Sequence, residues 1–433
     1  MKKVINPPNG DVKLSPVRRW LNKLGPGLIT GAADDDPSGI ATYSQAGAQF
    51  GLNLLWTMLF TYPLMVGIQI VSARIGRVTG KGLAGNIREH FPRWLLYVIV
   101  GLLLVANTIN IAADVSAMGD ALALLIGGSA RLYAVCFGLI SLLLQIFLPY
   151  SRYVGILKWL TLALLAYVGV IFAVHISWPQ VGMSIIAPQL HWNAATITTI
   201  VAVFGTTISP YLFFWQASQE VEELEANPDR QPLILAPEQA RNSFRRIKID
   251  TYFGMGFSNL VAFFIILTTA VTLHVHGVID IQTSAEAANA LRPIAGEFAF
   301  LLFAAGIIGT GLLAVPVLAG SAAYAMAGAF NWKKGLEQKP AAAKRFYAII
   351  AISTLVGVAL GFAPIDPIKA LYWSAVINGV ISVPIMAVMM LLAARSNVMG
   401  RFVITRRLKW LGWLATATMA VAVVAMFLTL NYA

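Results

Sequence analysis

The chain has 433 residues, 58% of them hydrophobic and only 12% charged, with a mean hydropathy of +0.73. Soluble domains carry about 25% charged and about 45–50% apolar residues, so this chain has too little charge to cover a water-facing surface. That excludes a soluble enzyme and a nucleic-acid-binding domain, despite a net charge of +12.

Residues 1–23 are basic and polar without an apolar core, which predicts a cytoplasmic tail and not a cleavable signal peptide. Beyond them, segments of roughly 20 mostly apolar residues, the length needed to cross about 30 Å of hydrocarbon, recur along the chain. Eleven qualify, at about 26–48, 52–73, 94–126, 132–150, 153–175, 196–218, 247–275, 296–330, 344–362, 366–394 and 409–431. The single cysteine, Cys136, lies inside an apolar run and permits no intramolecular disulfide.

Charge placement tests the count independently. With a cytoplasmic N-terminus, all but three of the 31 Lys and Arg residues fall on the inner side. The exceptions are Arg131, Arg292 and Lys369. This bias is the positive-inside rule, and it predicts a multi-pass protein of the cell (inner) membrane with its C-terminus outside. Anionic lipid, not nucleic acid, accounts for the basic balance.

Spans one and six stand apart. Span one runs through Gly31-Ala-Ala-Asp34-Asp35-Asp36-Pro37-Ser38-Gly39, and span six through Gly205-Thr206-Thr207-Ile208-Ser209-Pro210. A proline removes a backbone donor and clashes with the preceding turn. A carboxylate at bilayer depth costs at least about 2.5–3.5 kcal/mol, so such a segment is tolerated where it lines a cavity. Spans one and six each open a group of five, and an odd number of spans makes the two groups inverted. Breaks at matching positions of inverted halves point to a midplane transport site. The domain reading is therefore one membrane body: a transport core over 24–394, with repeats at about 24–175 and 196–394, then a cytoplasmic loop and peripheral helix over 395–433.

On these residues the chain resembles the Nramp divalent-metal transporters. Gly25-Pro-Gly-Leu, Asp36-Pro37 and Ile40-Ala-Thr-Tyr-Ser-Gln-Ala-Gly-Ala-Gln-Phe-Gly51 are similar to the family's first helix and the loop after it. Ala73-Arg-Ile-Gly-Arg-Val-Thr-Gly-Lys81 is similar to its first cytoplasmic loop, and Asp114, Asp250 and Asn259 stand where the family has polar residues. The resemblance implies an all-α LeuT-type fold, two inverted five-helix repeats plus an eleventh helix, that imports a divalent metal. It also implies departures. Gly39 replaces the family's Asn ligand, Ser209 its Met ligand, Tyr211 and Gln216 two His residues, and Ala117 a carboxylate in span three.

The ligand set expected from this comparison is the Asp36 carboxylate, the Ala33 and Thr206 carbonyls, and the Ser209 or Ser38 hydroxyl, with Gly39 at the vacated position. All are oxygen donors, which suit Mg²⁺, Ca²⁺ and Mn²⁺ better than soft metals. Two smaller side chains predict a roomier cavity for a hydrated ion, and Mg²⁺ characteristically keeps its waters. The expected cargo is Mg²⁺ and then Mn²⁺, as in the Nramp-related magnesium transporter branch. No resident cofactor is expected, and the functional unit is expected to be a monomer. Loss of titratable groups predicts transport without proton coupling, although Asp114, Asp120 and Asp250 remain. The competing reading is a proton-coupled Mn²⁺/Fe²⁺ symporter of the ordinary type.

Other features carry less. Asp34 and Asp35 are readable either as vestibule ligands or as partners of backbone freed by the break. Ser374 and Asn378, one turn apart in span ten, are readable either as lining of the pathway or as partners in a hydrogen bond between helices. Glu220-Val-Glu-Glu-Leu-Glu225 is expected to be a solvated face, and Gly306 to Gly311 a close helix contact. An amino-acid transporter on the same fold lacks an organic pocket here. A membrane enzyme using Asp34 to Asp36 for diphosphate chemistry lacks a second acidic motif.

Overall fold

The computed structural model describes residue 31 and residues 33–148 and 163–431. The N-terminal tail, Gly25 to Thr30, and Arg152 and Lys158 lie outside the described residues. Helix is the regular structure throughout the described chain: α1 (Pro37–Phe50), α2 (Leu55–Thr79), α3 (Leu83–His90), α4 (Arg93–Ile126), α5 (Ala130–Phe147), α6 (Leu165–Ala173), α7 (Trp178–Ile186), α8 (Ala194–Thr207), α9 (Pro210–Glu225), α10 (Ala240–Thr272), α11 (Ala299–Phe330), α12 (Lys344–Leu360), α13 (Pro367–Ala393) and α14 (Arg406–Asn431). Short turns over Ser284–Asn289, Arg292–Ala295 and Ser396–Met399 link the longer ones.

Among the described residues, eight helical stretches are long and apolar enough to cross a membrane, and each coincides with an expected span. They match spans two, three, four, six, seven, eight, ten and eleven. Span nine is α12, a 17-residue helix. Of span five only α6 is described, and of span one α1 together with the residues just before it. The amphipathic helix α7 was not expected.

Packing follows the inverted relation of the halves. The second half of span one, α1, lies along α10, and the second half of span six, α9, lies along α2. A twofold axis that exchanges the two groups of five also exchanges those two pairs. At the centre α4 runs along α11, and α8 along α13. The second pair meets backbone to backbone: a Cβ on Gly205 would stand 2.1 Å from the Ala375 carbonyl oxygen and 2.5 Å from the Gly379 nitrogen. The glycines of α11 serve close packing as expected, with a Cβ on Gly311 falling 2.4 Å from the Met118 sulfur. Helices α5 and α14 are peripheral and present Leu132, Leu143, Phe147, Val421, Val424 and Phe427 outward, a surface suited to lipid.

The basic loops converge on one end. Arg77 bonds Ser243 and Gln239 across 3.1 Å each, Arg88 bonds the Gly328 carbonyl, and Arg395 bonds the His90 carbonyl. Loops that the span count assigns to a single side thus touch one another.

Candidate metal site

Both broken helices are present. Gly31, Ala33 and Asp34 are helical, Asp35 and Asp36 leave the helix, and α1 restarts at Pro37. Asp36 is extended (φ −70°, ψ 170°) and caps α1, its carboxylate accepting from the Gly39 N–H. Pro37 costs nothing there, because the first amide of a helix has no intrahelical acceptor. In the other half α8 ends at Thr207, Ile208 and Ser209 leave the helix, and Pro210 opens α9. The last carbonyls of α8 are free of intrahelical partners, and a helix C-terminus carries partial negative charge. That end favours a cation. The N-termini of α1 and α9 favour the Asp36 carboxylate.

Asp36 is the hub. Its Oδ1 accepts from Ser38 Oγ at 2.6 Å and Gly39 N at 2.8 Å. Its Oδ2 accepts from Asn110 Nδ2 at 3.0 Å and Tyr211 Oη at 3.2 Å. The Tyr211 hydroxyl also lies 3.0 Å from the Ala33 carbonyl, so its single hydrogen serves one of two expected ligands at a time. Across the site, Ser209 Oγ donates to the Thr206 carbonyl at 2.7 Å and the Gly205 carbonyl at 3.0 Å. Asp36, Ala33, Thr206, Ser209, Ser38 and Gly39 are all buried. Ala33, Asp36, Ser38 and Gly39 therefore come together at one break, and Thr206 with Ser209 at the other. Gly39 joins the two, since a Cβ there would meet Thr206 Oγ1 at 3.1 Å and Tyr43 Cε2 at 3.3 Å.

That last contact corrects an expectation. The position vacated at Gly39 is not enlarged, because Thr206 and Tyr43 fill it. Glu220 to Glu225 also differ from expectation. They form the last turns of α9, with Glu220 fully buried against Arg246 at 2.5 Å and Glu222 accepting from Tyr324 and from the Leu336 N–H at 2.8 Å. Ser374 bonds the Leu371 carbonyl within its own helix, and the buried Asn378 amide meets no partner. Ser258 Oγ of α10 lies 2.7 Å from Asp34 Oδ2 and 3.0 Å from Asp35 Oδ1, its single hydrogen serving one of them at a time. Among the described residues no group of three His, Cys, Asp or Glu side chains is placed to grip a metal.

A cavity opens at the end opposite the basic loops, and none of the residues that line it belongs to the candidate site. Its volume is about 330 Å³, and it lies between α1, α8 and α13, lined by Gln45, Thr198, Thr199, Asp280, Lys369 and Tyr372. The motif reading missed Asn110 and Ser258. A polar residue one turn before Asp114 in an otherwise apolar helix was the available signal for the first.

A match to the family described as "Natural resistance-associated macrophage protein-like", Nramp, extends over residues 27–429. The chain belongs to the Nramp family. A curated relative, "Divalent metal cation transporter MntH" of Klebsiella pneumoniae subsp. pneumoniae, is 24% identical over 424 residues, covering 95% of this chain and 93% of its own. The manganese transporter of Eremococcus coleocola superposes with a TM-score of 0.72 at 18% identity, covering 98% of this chain and 88% of that one. MhsT in complex with L-phenylalanine superposes with a TM-score of 0.60 at 12% identity, over 93% of this chain and 98% of that one. The Nramp chain described here thus has the LeuT-type fold, and its named relatives are transporters, not enzymes.

Proposed function

We propose that this Nramp protein imports a divalent cation by alternating access at the paired breaks, favouring Mg²⁺ and then Mn²⁺, without obligatory proton coupling. Asp36, the Ala33 and Thr206 carbonyls and the Ser209 hydroxyl are the ligands, with Ser38 and Gly39 holding the Asp36 carboxylate in place. What carries this reading is the donor set: the buried Asp36 carboxylate at one break and the C-terminal carbonyls of α8 at the other, the two breaks meeting where Gly39 packs on Thr206, with every donor an oxygen. Relatives named as divalent metal transporters support the class of cargo. Oxygen donors support the hard end of that class. A divalent ion entering at 100 mV gains about 4.6 kcal/mol, twice the value for a single charge, so no proton is needed for accumulation. Convergence of the basic loops supports a cytoplasmic N-terminus and an external C-terminus, with the 330 Å³ cavity facing outward.

Calorimetry of Mg²⁺, Mn²⁺ and Cd²⁺ binding, paired with uptake into proteoliposomes, tests the reading. Mg²⁺ uptake without acidification of the lumen is the expected result. Cd²⁺ or Fe²⁺ outcompeting a large excess of Mg²⁺, or metal-driven acidification, would favour the proton-coupled Mn²⁺/Fe²⁺ symporter instead. Ser209→Met removes the donor to the Thr206 carbonyl and restores a thioether, so Cd²⁺ affinity should rise relative to Mg²⁺.

A further inference from the structure

We infer that Asp114 is the second anionic wall of the cation site, meeting the retained water shell of the ion and setting its preference for two charges. The inference rests on the reading of Asp36 as the direct ligand. Asp114 is fully buried in α4, and no protein donor reaches either of its carboxylate oxygens. Its position is fixed by its neighbours one turn away on the same helix face. Asn110 bonds Asp36 Oδ2 at 3.0 Å. Met118 packs where a Cβ on Gly311 would fall 2.4 Å from its sulfur and 3.3 Å from the ring of Pro37. Asp114 sits between these two contacts, so it faces the break of span one. Asn110 and Tyr211 both bond Asp36 Oδ2, so the helix face that Asp114 shares with Asn110 is turned toward that carboxylate.

A buried carboxylate with no donor is costly, and natural folds pair such groups or use them. Protonation alone does not resolve the position, since a carboxylic O–H needs an acceptor too. A hydrated divalent cation resolves it: the ion binds Asp36 directly and its remaining waters donate to Asp114. Mg²⁺ suits this arrangement because it is held through one or two carboxylates and keeps several waters. Two negative charges then meet two positive ones.

The test is calorimetry and thermal unfolding of the full-length protein in detergent, comparing wild type with Asp114→Asn, Asp114→Leu and Asp36→Asn. Loss of a charge one water away from a divalent ion should weaken Mg²⁺ binding by about tenfold or more. Discrimination against Na⁺ should fall with it. Melting without metal should stay level or rise in Asp114→Asn, because an uncompensated buried charge is removed; a residue of purely structural importance would lower it. Asp114→Leu, which cannot contact water, should show the same loss of binding. Mg²⁺ affinity in either Asp114 variant within threefold of wild type, while Asp36→Asn abolishes binding, overturns this inference and leaves the proposed function standing. Failure of wild type to bind Mg²⁺ or Mn²⁺ overturns both.

Discussion

Replacing Asp36 with Asn separates its observed role as helix cap from its proposed role as cation ligand. As a cap, Asn equals Asp, so the Gly39 N–H and the Ser38 hydroxyl keep an acceptor at Oδ1. The new amide nitrogen would face Asn110 Nδ2, donor against donor. Asn110 Oδ1 has no partner, however, and turning that amide over restores the bond. Asp36→Asn should therefore melt within about 1 kcal/mol of wild type. Binding is different. At an effective dielectric near 20, unit charges 4 Å apart interact by about 4 kcal/mol, and a divalent ion doubles that. Dehydration of the ion consumes part of this gain. A net loss of at least about 2.7 kcal/mol, or a hundredfold in Kd, remains the expectation. Asp36→Ala loses the same affinity and in addition the cap, about 1 kcal/mol, and it strands the Asn110 and Ser38 donors at about 1–3 kcal/mol each. Titration calorimetry and tryptophan-fluorescence melting on the two variants check both halves. Mg²⁺ binding by Asp36→Asn within threefold of wild type, or melting as low as Asp36→Ala, would refute the reasoning.

Three further variants probe the frame around the site. Gly205→Ala puts a methyl group 2.1 Å from the Ala375 carbonyl, where only backbone can yield; melting should drop by about 1–3 kcal/mol and Mg²⁺ uptake should fall as the Thr206 carbonyl moves. Unchanged melting and uptake would mean that α8 and α13 have slack. Glu220→Gln removes a buried charge facing Arg246, which keeps Glu223 at 2.9 Å, so about 2 kcal/mol of stability should be lost in a denaturant titration. Ser258→Ala deprives Asp34 and Asp35 of their common donor and should cost about 1–3 kcal/mol in melting, with Mg²⁺ affinity held within threefold. A larger change in affinity would make those two acids part of the cation path.

The membrane made much of this protein legible in its sequence. Lipid offers no partner to a backbone group or a charge, so each span must satisfy itself locally, and exceptions such as Asp36-Pro37 and Ser209-Pro210 stand out without knowledge of the fold. Sorting of Lys and Arg between alternate loops is local in the same sense. What tertiary structure alone decided is who meets Asp36. Asn110 reaches it from 74 residues away and Tyr211 from 175, while Ser258 bonds the neighbouring Asp34 from 224. Such partners follow from which helix lies against which, and hydropathy carries no record of that. The space beside Gly39 shows the same limit. A missing side chain reads as room, yet Thr206 and Tyr43 close over it, because a packed interior leaves few voids and its neighbours arrive from other helices. Glu220 likewise reads as a solvated charge until α10 brings Arg246 against it. Sequence determined where charge could not be ordinary; packing determined what each exceptional charge faces.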